Sequence, residues 1–280
     1  MIVLLASDQD TAAMNIYSHL LKLVQWEEVA KFHEHPVLKF GTTFLFRTSK
    51  KMLEYDGFDR DIITSGLVSD PEAFMILSRH ASESGKATLT VHPIGNYNDA
   101  VYGGRPKTLV PAAPCLMTEA IRRLKANANE AKLEGFDISF EATHHGPLVE
   151  SPVLFIEIGS EASMWGQDAP GRVVARTVLD LLEAKAPAQP YPVAIGVGGG
   201  HYAPRITDVA LGYKISFGHI IPNHALENDE VVDLALRWTP GVSIVYFHKK
   251  GMKGAQYRHF KELFEAKGIR AVDSEDLERL

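Results

Sequence analysis

The sequence predicts an α/β protein in which helices cover both faces of a largely parallel or mixed central sheet, a three-layer α/β/α arrangement. Short apolar runs bounded by turn residues recur along the chain, as is typical of strands buried on both faces. Segments of helical periodicity fall between these runs. With 280 residues, of which 45% are hydrophobic and 23% charged, the chain is also long and apolar enough to bury a large core.

These two patterns assign the elements along the chain. The strand-like runs are Ile2–Ala6, Thr42–Arg47, Asp61–Thr64, Ala87–His92, Asp137–Ala142, Val153–Ile158, Val193–Val197, Ile215–Ile221 and Ser243–Phe247. The helical segments are Thr11–Val24, Pro71–Ser82, Pro114–Leu133, Gly171–Ala186, Arg205–Leu211, Asn228–Trp238 and Gly254–Lys267. Asp70 before Pro71 is typical of a capped helix start. The best linker candidate, Ala186–Pro192, is short and leads straight into a strand, so we predict a single domain over residues 1–280.

Composition limits the partners and the compartment. A net charge of −6 provides no global attraction for nucleic acid, so we expect no DNA partner, and any RNA contact must use a local basic patch. The one cysteine, Cys115, cannot form an intramolecular disulfide, which favours a reducing compartment. The apolar start of the chain is too short for a signal peptide, and no stretch approaches the ~20 apolar residues of a membrane span. We therefore expect a cytoplasmic, monomeric protein with no membrane partner.

Candidate site residues follow several predicted strands, where open α/β sheets bind their ligands. His144 and His145 close one strand, and neutral imidazole is the commonest zinc ligand and titrates near neutrality. The alternative is a turn in which both rings form local hydrogen bonds. Glu157 lies among apolar residues within a strand, where an unpaired carboxylate is unfavourable. It therefore needs a metal, a histidine or an arginine as partner, unless it faces a sheet edge or solvent.

A glycine-rich loop follows another predicted strand. Gly198, Gly199 and Gly200 allow backbone N–H groups to approach a ligand closely, and His201 comes directly after them. Arg205 lies at the start of a helix, so the segment resembles a nest for a phosphate or an ester oxygen. Its spacing matches neither the Walker A pattern nor a dinucleotide fingerprint, and a plain flexible turn is the alternative.

Other polar residues are weaker candidates. His219 and His224 lie near a further strand, and either would complete a metal shell or be a hydrogen-bonded core histidine. Asn96, in the turn after His92, would donate to a carbonyl or a ribose. Cys115 follows proline at a predicted helix start but lacks an obvious base, which argues against a nucleophile.

Several of these segments together resemble the archaeal and plant type of D-aminoacyl-tRNA deacylase. They are EATHHGP at residues 141–147, FIEIGS at 155–160 with Trp165, VGGGHYAPR at 197–205, FGHI at 217–220, and the His92-Pro segment with Gly95-Asn96 and Gly103-Gly104. The resemblance covers nearly the whole chain, to about Lys267. It implies hydrolysis of the ester that joins a D-amino acid to the 3′-terminal ribose of tRNA, a bound zinc ion, and a fold related to phosphorylase, peptidyl-tRNA hydrolase and zinc-exopeptidase architectures.

This chemistry assigns roles to the candidate residues, which we treat as hypotheses. The predicted metal ligands are His144, His145, Glu157, His201 and His219, and the predicted catalytic residues are His144, His201 and Glu157. Backbone N–H groups of Gly198, Gly199 and Gly200 would bind an oxyanion or the terminal phosphate, while Arg205 and Asn96 would contact the phosphate, the ribose or the carbonyl.

Two other interpretations remain open from the sequence. One is a peptidyl-tRNA hydrolase or a zinc aminopeptidase-like hydrolase, and the other is a nucleotide- or RNA-binding module without catalysis. A local basic patch is the best candidate for a contact with the tRNA backbone, although such patches are usually solvated faces. Its residues are Lys249, Lys250, Lys253, Arg258 and Lys261.

Overall fold

The computed structural model describes residues 1–184 and 191–280, so most of the linker candidate Ala186–Pro192 and the predicted end of helix Gly171–Ala186 lie outside the described residues. The strands are β1 (Ile2–Ser7), β2 (Glu27–Phe32), β3 (His35–Phe40), β4 (Thr43–Thr48), β5 (Ala73–Arg79), β6 (Thr88–His92), β7 (Gly95–Asn96), β8 (Thr108–Leu109), β9 (Asp137–Phe140), β10 (Val153–Gly159), β11 (Val193–Val197), β12 (Ser216–Ile221), β13 (Val242–Phe247) and β14 (Arg270–Val272). The helices are α1 (Thr11–Leu23), α2 (Phe58–Thr64), α3 (Pro114–Glu130), α4 (Ala162–Trp165), α5 (Asp168–Glu183), α6 (Pro204–Gly212), α7 (Glu230–Trp238) and α8 (Gly254–Ala266).

A mixed sheet of eight strands forms the centre of the fold, in the order β2-β3-β4-β1-β5-β10-β6-β9. Strands β4, β1, β5 and β10 run parallel to one another, whereas β3 is antiparallel to β4 and β6 is antiparallel to β10 and parallel to β9. Helices flank this sheet: α1, α3 and α5 pack on one another against one face, and Phe58 and Ile62 of α2 join the apolar cluster on the other. The predicted three-layer α/β class with a mixed central sheet is confirmed.

The C-terminal strands form a separate, parallel sheet of four strands in the order β12-β11-β13-β14. One apolar cluster contacts both sheets: it contains Leu89 and Phe140 of the large sheet, Phe217 and Ile244 of the small one, and α3 side chains such as Ile121. Helix α3 therefore lies between the sheets. The single domain over residues 1–280 stays a prediction, and this shared core supports it. Among the described residues, no helix is long and apolar enough to cross a membrane.

Two of the predicted elements are wrong. The predicted helix Pro71–Ser82 is strand β5, in the middle of the large sheet, and Asp70 has a φ of 51° rather than capping a helix. Since both faces of β5 are buried, its continuous apolar run has no alternation that separates a strand from a buried helix. The predicted strand Asp61–Thr64 is the end of α2, where Phe58 and Ile62 lie one turn apart and bury together.

The sequence analysis also missed the edge hairpin formed by β2 and β3. Its two turn residues, His33 and Glu34, have φ values of 45° and 67°, the positive values that a two-residue hairpin turn requires. Asparagine and glycine usually supply this conformation, so the sequence carries no hairpin signal here. The strands are also half exposed and lack strict alternation.

The segment after β9 connects the two sheets. The N–H of Ala142 donates to the carbonyl of His201 (2.8 Å), and the N–H of Thr143 donates to the carbonyl of Ile220 on β12 (2.9 Å). Glu141 forms a bridge with Tyr202. The glycine-rich loop after β11 is thereby fixed beside the end of β9.

The connection between β7 and β8 packs closely on the turn that precedes α2. Gly103 has a φ of 82°, and a Cβ atom there would lie 1.9 Å from the carbonyl oxygen of Leu53. Gly66 has nearly the same φ, 77°, but nothing within 4 Å of its Cβ position. Substitutions at these two glycines can therefore separate the cost of backbone strain from the cost of a steric clash.

We expect Gly66→Ala to lower the free energy of unfolding by ~1–2 kcal/mol, the cost of a left-handed conformation for a side chain with a Cβ atom. Gly103→Ala should cost at least ~2 kcal/mol more, because the loop must also move away from Leu53. Urea unfolding of both variants measures the difference. Equal losses would show that the loop does not pack on Leu53.

Candidate active site

Three strands of the large sheet supply the first group of polar side chains. Glu157 on β10 is paired with Ser78 on β5 and with Thr90 on β6. His92 ends β6 opposite Phe155, two residues before Glu157, so His92 and Glu157 project from the same face of the sheet. His80 directly follows β5 and lies two residues after Ser78. Side-chain alternation therefore brings His80, His92 and Glu157 together.

The second group comes from the connections between the two sheets. Glu141 directly follows β9, and His144 and His145 come three and four residues later, in a turn that a bridge between His144 and Ile94 fixes. His201 comes from the glycine-rich loop, whose pairing with the β9 extension sets its position.

The two groups form one cluster of five histidines and two glutamates. His201 Nε2 lies 3.0 Å and His144 Nε2 3.3 Å from Glu141 Oε2. His80 Nδ1 is 3.2 Å from Glu141 Oε1 and 3.6 Å from Glu157 Oε2, and His92 Nε2 is 3.5 Å from Glu157 Oε2. Three overlapping sets have ligand atoms within 4.8 Å of one another: His92-His144-His145, His80-Glu141-His201 and His92-Glu141-Glu157.

Most of this cluster is withdrawn from solvent, and its polar atoms are poorly satisfied. The exposed fraction is 0% for Glu141 and 1% for Glu157, whereas the side chain of His201 is 42% exposed. The short contacts lack hydrogen-bond geometry. Among the described residues, no hydrogen-bond partner meets either oxygen of Glu141, Glu157 Oε2, His92 Nε2 or His145 Nδ1. Buried polar atoms are rarely left unpaired in native proteins, so this cluster has the donor set of a metal site.

His144 gives the clearest indication of a cation. Its Nδ1 lies 2.8 Å from the carbonyl oxygen of Ala142, which can only accept, so Nδ1 carries the proton. Burial, together with nearby His145 and His92, holds the pKa of His144 well below its usual value, so the ring is neutral. The unprotonated Nε2 then faces a carboxylate oxygen of Glu141 at 3.3 Å. Two lone pairs at this distance repel unless a cation lies between them, and metal-binding histidines typically donate their other N–H to such a carbonyl.

The remaining charges fit the same arrangement. Burial acts to raise the pKa of Glu157, but the adjacent His80 and His92 rings outweigh it and lower the pKa to about 2. Burial acts to lower the pKa of His80, and Glu157 and Glu141 raise it to about 9. Burial and the neighbouring histidines hold the pKa of His145 well below its usual value. The cluster therefore contains ionised carboxylates beside the neutral rings of His144 and His145, the forms that bind a metal, whereas the carboxylates favour the protonated form of His80.

The sequence analysis assigned no role to four residues of this region, which are His80, His92, Glu141 and Tyr202. His80 went unnoticed because β5 was predicted as a helix. Glu141 directly follows a strand, whereas Glu157 lies within one. The position of Glu141 shortly before His144 and His145 was the sequence signal that could have identified it as a site residue. Tyr202 holds the cluster from outside: its hydroxyl lies 2.9 Å from His80 Nε2 and 3.2 Å from Ser160 Oγ.

His219 lies apart from the cluster, and its ring nitrogens are already occupied. Nε2 donates to the carbonyl of Val110 (2.9 Å), and Nδ1 accepts from the hydroxyl of Thr143 (3.0 Å). Burial lowers the pKa of His219 to about 4, so the ring is neutral and fully hydrogen-bonded. The structure thus places His219 as a core histidine rather than beside the other predicted ligands.

Three more predicted binding residues make internal contacts. The side-chain amide of Asn96 donates to the carbonyls of Gly103 (3.0 Å) and Arg105 (3.4 Å) and so holds the β7–β8 connection. Arg205 donates to Tyr246 (3.0 Å) and Ser274 (2.7 Å), beside a cavity of about 460 Å³ that Lys249 and Lys250 also line. The N–H of Gly198 donates to the carbonyl of Ile221 (2.8 Å), which removes it from the predicted nest. Within the described residues, the N–H groups of Gly199 and Gly200 form no such bond.

A mixed α/β fold that brings imidazoles and carboxylates together beside a glycine-rich loop supplies the groups of a hydrolase, and its donor set could hold a metal ion. Comparison with known proteins identifies the particular family. A family model described as D-aminoacyl-tRNA deacylase matches residues 67–272. The chain belongs to the D-aminoacyl-tRNA deacylase family, which confirms the resemblance seen in the sequence.

Similar proteins cover almost the whole chain. The D-aminoacyl-tRNA deacylase of Pyrococcus abyssi is 34% identical over 274 residues, 96% of this chain and 98% of that protein. The one from Thermococcus onnurineus is 36% identical over 275 residues, with the same coverage. A crystal structure of a conserved protein of unknown function covers 100% of this chain and 98% of its own, with 29% identity and a TM-score of 0.90.

The internal role of His219 makes a pH-dependent contribution to stability. Its pKa is about 4 in the folded chain and 6.5 in a free histidine, so the unfolded chain takes up a proton first as the pH falls. The stability is therefore fully present above pH 6.5 and is lost between 6.5 and 4. We expect this residue to contribute roughly 3 kcal/mol to the loss of unfolding free energy across that window.

His219→Gln keeps a donor for the Val110 carbonyl but cannot titrate, so the variant should lose less stability between pH 7 and pH 4 than the unchanged chain. Denaturant unfolding at several pH values measures both slopes, and the other histidines titrate alike in the two proteins. Parallel curves would contradict a neutral, buried His219.

Proposed function

We propose that this chain hydrolyses the ester between a D-amino acid and the 3′-terminal ribose of tRNA, with D-tyrosyl-tRNA as one substrate. Water is consumed, and the products are the free D-amino acid and tRNA with its 3′-hydroxyl restored. Membership of the D-aminoacyl-tRNA deacylase family supports this substrate, and the buried cluster supports the hydrolytic chemistry. A cytoplasmic location, where aminoacyl-tRNA is used, follows from the proposed substrate, and a monomer and the absence of a DNA partner remain expectations.

Zinc is the proposed cofactor, and the contact between His144 Nε2 and Glu141 Oε2 carries this part of the proposal. The residues that would hold it are imidazoles and carboxylates, the nitrogen and oxygen donors that zinc accepts. When bound, zinc would polarise the ester carbonyl and lower the pKa of the attacking water to ~7. Of the predicted ligands, the proposal keeps His144, His145 and Glu157, reserves His201 for proton transfer, and adds His80, His92 and Glu141, whose ligand atoms lie in the same sets.

The chain's own residues then act on the substrate in distinct ways. His201 is the most exposed ring of the cluster, and we assign it the transfer of a proton between water and the leaving 3′-oxygen. Glu157 and His144, the other predicted catalytic residues, fix the charge and the donor set within the cluster. The free N–H groups of Gly199 and Gly200 would stabilise the oxyanion or bind the terminal phosphate.

The tRNA backbone would bind beyond the glycine-rich loop. Arg205, Lys249 and Lys250 line the cavity of about 460 Å³. A short run of chain connects Arg205 to His201 of the cluster. Asp273 and Glu275 also line it, and Asp273 is paired with Lys249 at 2.6 Å. Because the chain carries a net charge of −6, this local surface is the feature that would attract phosphates.

The first test measures deacylation and bound metal together. The chain should hydrolyse D-tyrosyl-tRNA faster than L-tyrosyl-tRNA or an N-blocked aminoacyl-tRNA, contain bound zinc, and lose activity on chelation. His144→Ala should bind less zinc and lower kcat/KM by at least ~10- to 100-fold, the loss typical even of groups that only support metal ligands. His224→Ala, which changes an exposed histidine outside the cluster, is the matched control.

Each alternative has its own outcome in this test. Preferential cleavage of the N-blocked substrate would indicate a peptidyl-tRNA hydrolase. No cleavage of any substrate would leave a binding module. A His144→Ala protein with unchanged zinc and unchanged rate would overturn the metal assignment.

A second prediction concerns the basic surface. Lys250→Glu should raise KM for aminoacyl-tRNA with little change in kcat, because it removes a phosphate contact but no reacting group. The slope of log KM against the logarithm of the salt concentration should decrease by about 1. Lys125→Glu makes the same change of charge at an exposed lysine of α3. Steady-state kinetics at several salt concentrations separate the two, and equal effects would contradict a local tRNA contact.

A further inference from the structure

A small cavity opens onto the cluster from a direction that the proposed function does not use. It has a volume of about 130 Å³, and two cluster residues, His145 and Glu157, line it. Asp10, Ser78 and Arg79 form one part of its wall, and the turn Met52–Glu54 forms another. His201, Arg205 and the lysines of the basic surface do not line it.

Its volume limits what can enter. An apolar cavity of about 150 Å³ holds a benzene molecule, so this space accepts one amino-acid side chain of moderate size but not a nucleoside. An aminoacyl ester has a small end and a very large end on either side of the reacting carbonyl. Since tRNA must stay outside, the aminoacyl group is the part that fits, and the exposed side of His201 remains for the terminal ribose.

The wall of the cavity combines a carboxylate with an apolar side chain, which together suit the charged and apolar parts of an aminoacyl group. The carboxylate of Asp10 accepts from the N–H groups of Ala13 and Arg79, both at 2.9 Å, so its position is fixed. The cations nearby are engaged elsewhere: Lys51 pairs with Glu54 at 3.1 Å, and the Arg79 guanidinium lies over the Trp165 ring. Among the described residues Asp10 forms no ion pair, although the charge of Arg79 acts on it, and such a fixed carboxylate suits the α-ammonium group.

Leu53 supplies the apolar part of the wall and stands on a fixed backbone. Its carbonyl packs against Gly103, and the N–H of Gly57, four residues later, donates to the carbonyl of Leu148 at 2.8 Å. The side chain is only partly buried by other residues, so an enlarged side chain has the cavity as space to occupy.

We propose that this cavity is the binding site for the aminoacyl group and that Leu53 limits the size of the side chain it accepts. The inference rests on the proposed function, because it assigns one end of the proposed substrate.

The test compares a large and a small substrate on one variant. Leu53→Trp should reduce kcat/KM for D-tyrosyl-tRNA by roughly tenfold or more, the usual effect of steric exclusion from an apolar pocket, and change that for D-alanyl-tRNA by less than about twofold. Leu263→Trp, at a partly buried leucine of α8 far from the cavity lining, controls for the substitution itself. If the ribose occupied the cavity instead, both substrates would lose activity by the same factor, and the proposal would fail.

A second variant keeps the test decisive if Leu53→Trp does not fold. Leu53→Ala enlarges the cavity and should raise the ratio of kcat/KM for D-tryptophanyl-tRNA to that for D-alanyl-tRNA. An unchanged ratio would overturn the assignment of Leu53. Failure of the proposed function is distinguishable, because the unchanged chain would then hydrolyse none of these substrates.

Discussion

The burial of two ionised carboxylates inside the protein is the constraint on which the rest of the structure depends. Glu141 and Glu157 are almost completely withdrawn from water, and an isolated buried charge would cost several kcal/mol. Histidines from four separate segments surround them, yet the contacts lack hydrogen-bond geometry. The polypeptide alone therefore leaves the cluster under-satisfied, and a bound cation would relieve the same atoms that the protein leaves unpaired.

The two-sheet architecture explains how the chain can hold such a cluster in place. Glu157 belongs to an inner strand of the large sheet, where strands on both sides fix its backbone. Glu141 follows the edge strand β9 at the point where the chain leaves the large sheet and pairs with the loop before α6 and with β12. The distance between the two carboxylates is therefore set by the large sheet, in which β6 lies between β10 and β9, rather than by a flexible loop. A site built on such elements keeps its geometry without a substrate.

The sequence predicted this site in part, and the differences have physical causes. Glu157 was predictable, because a carboxylate in an apolar strand must find a partner. His80 was not predictable, because the periodicity of an apolar run buried on both faces does not distinguish a strand from a helix. His219 looked like a ligand, but its partners Val110 and Thr143 are 109 and 76 residues away in the chain and only the fold reveals them. The layered α/β class depended on many segments at once, so two wrong elements did not change it.

Under the proposed function, the arrangement around the cluster separates chemistry from substrate selection. The proposed metal ligands lie on strands and on the segment that joins the sheets, whereas Leu53 lies on a short turn outside the large sheet. A change at this turn alters the space for a side chain without moving Glu157, because β5 and β6 hold that strand on both sides. The range of amino acids accepted can therefore differ among proteins that keep the same cluster. The proposed role of His201 has the opposite requirement. Its ring must be open to solvent so that the leaving ribose can reach it. A small cavity on one side of the cluster and an exposed histidine on the other would together suit a substrate that is a small acyl group on a very large RNA.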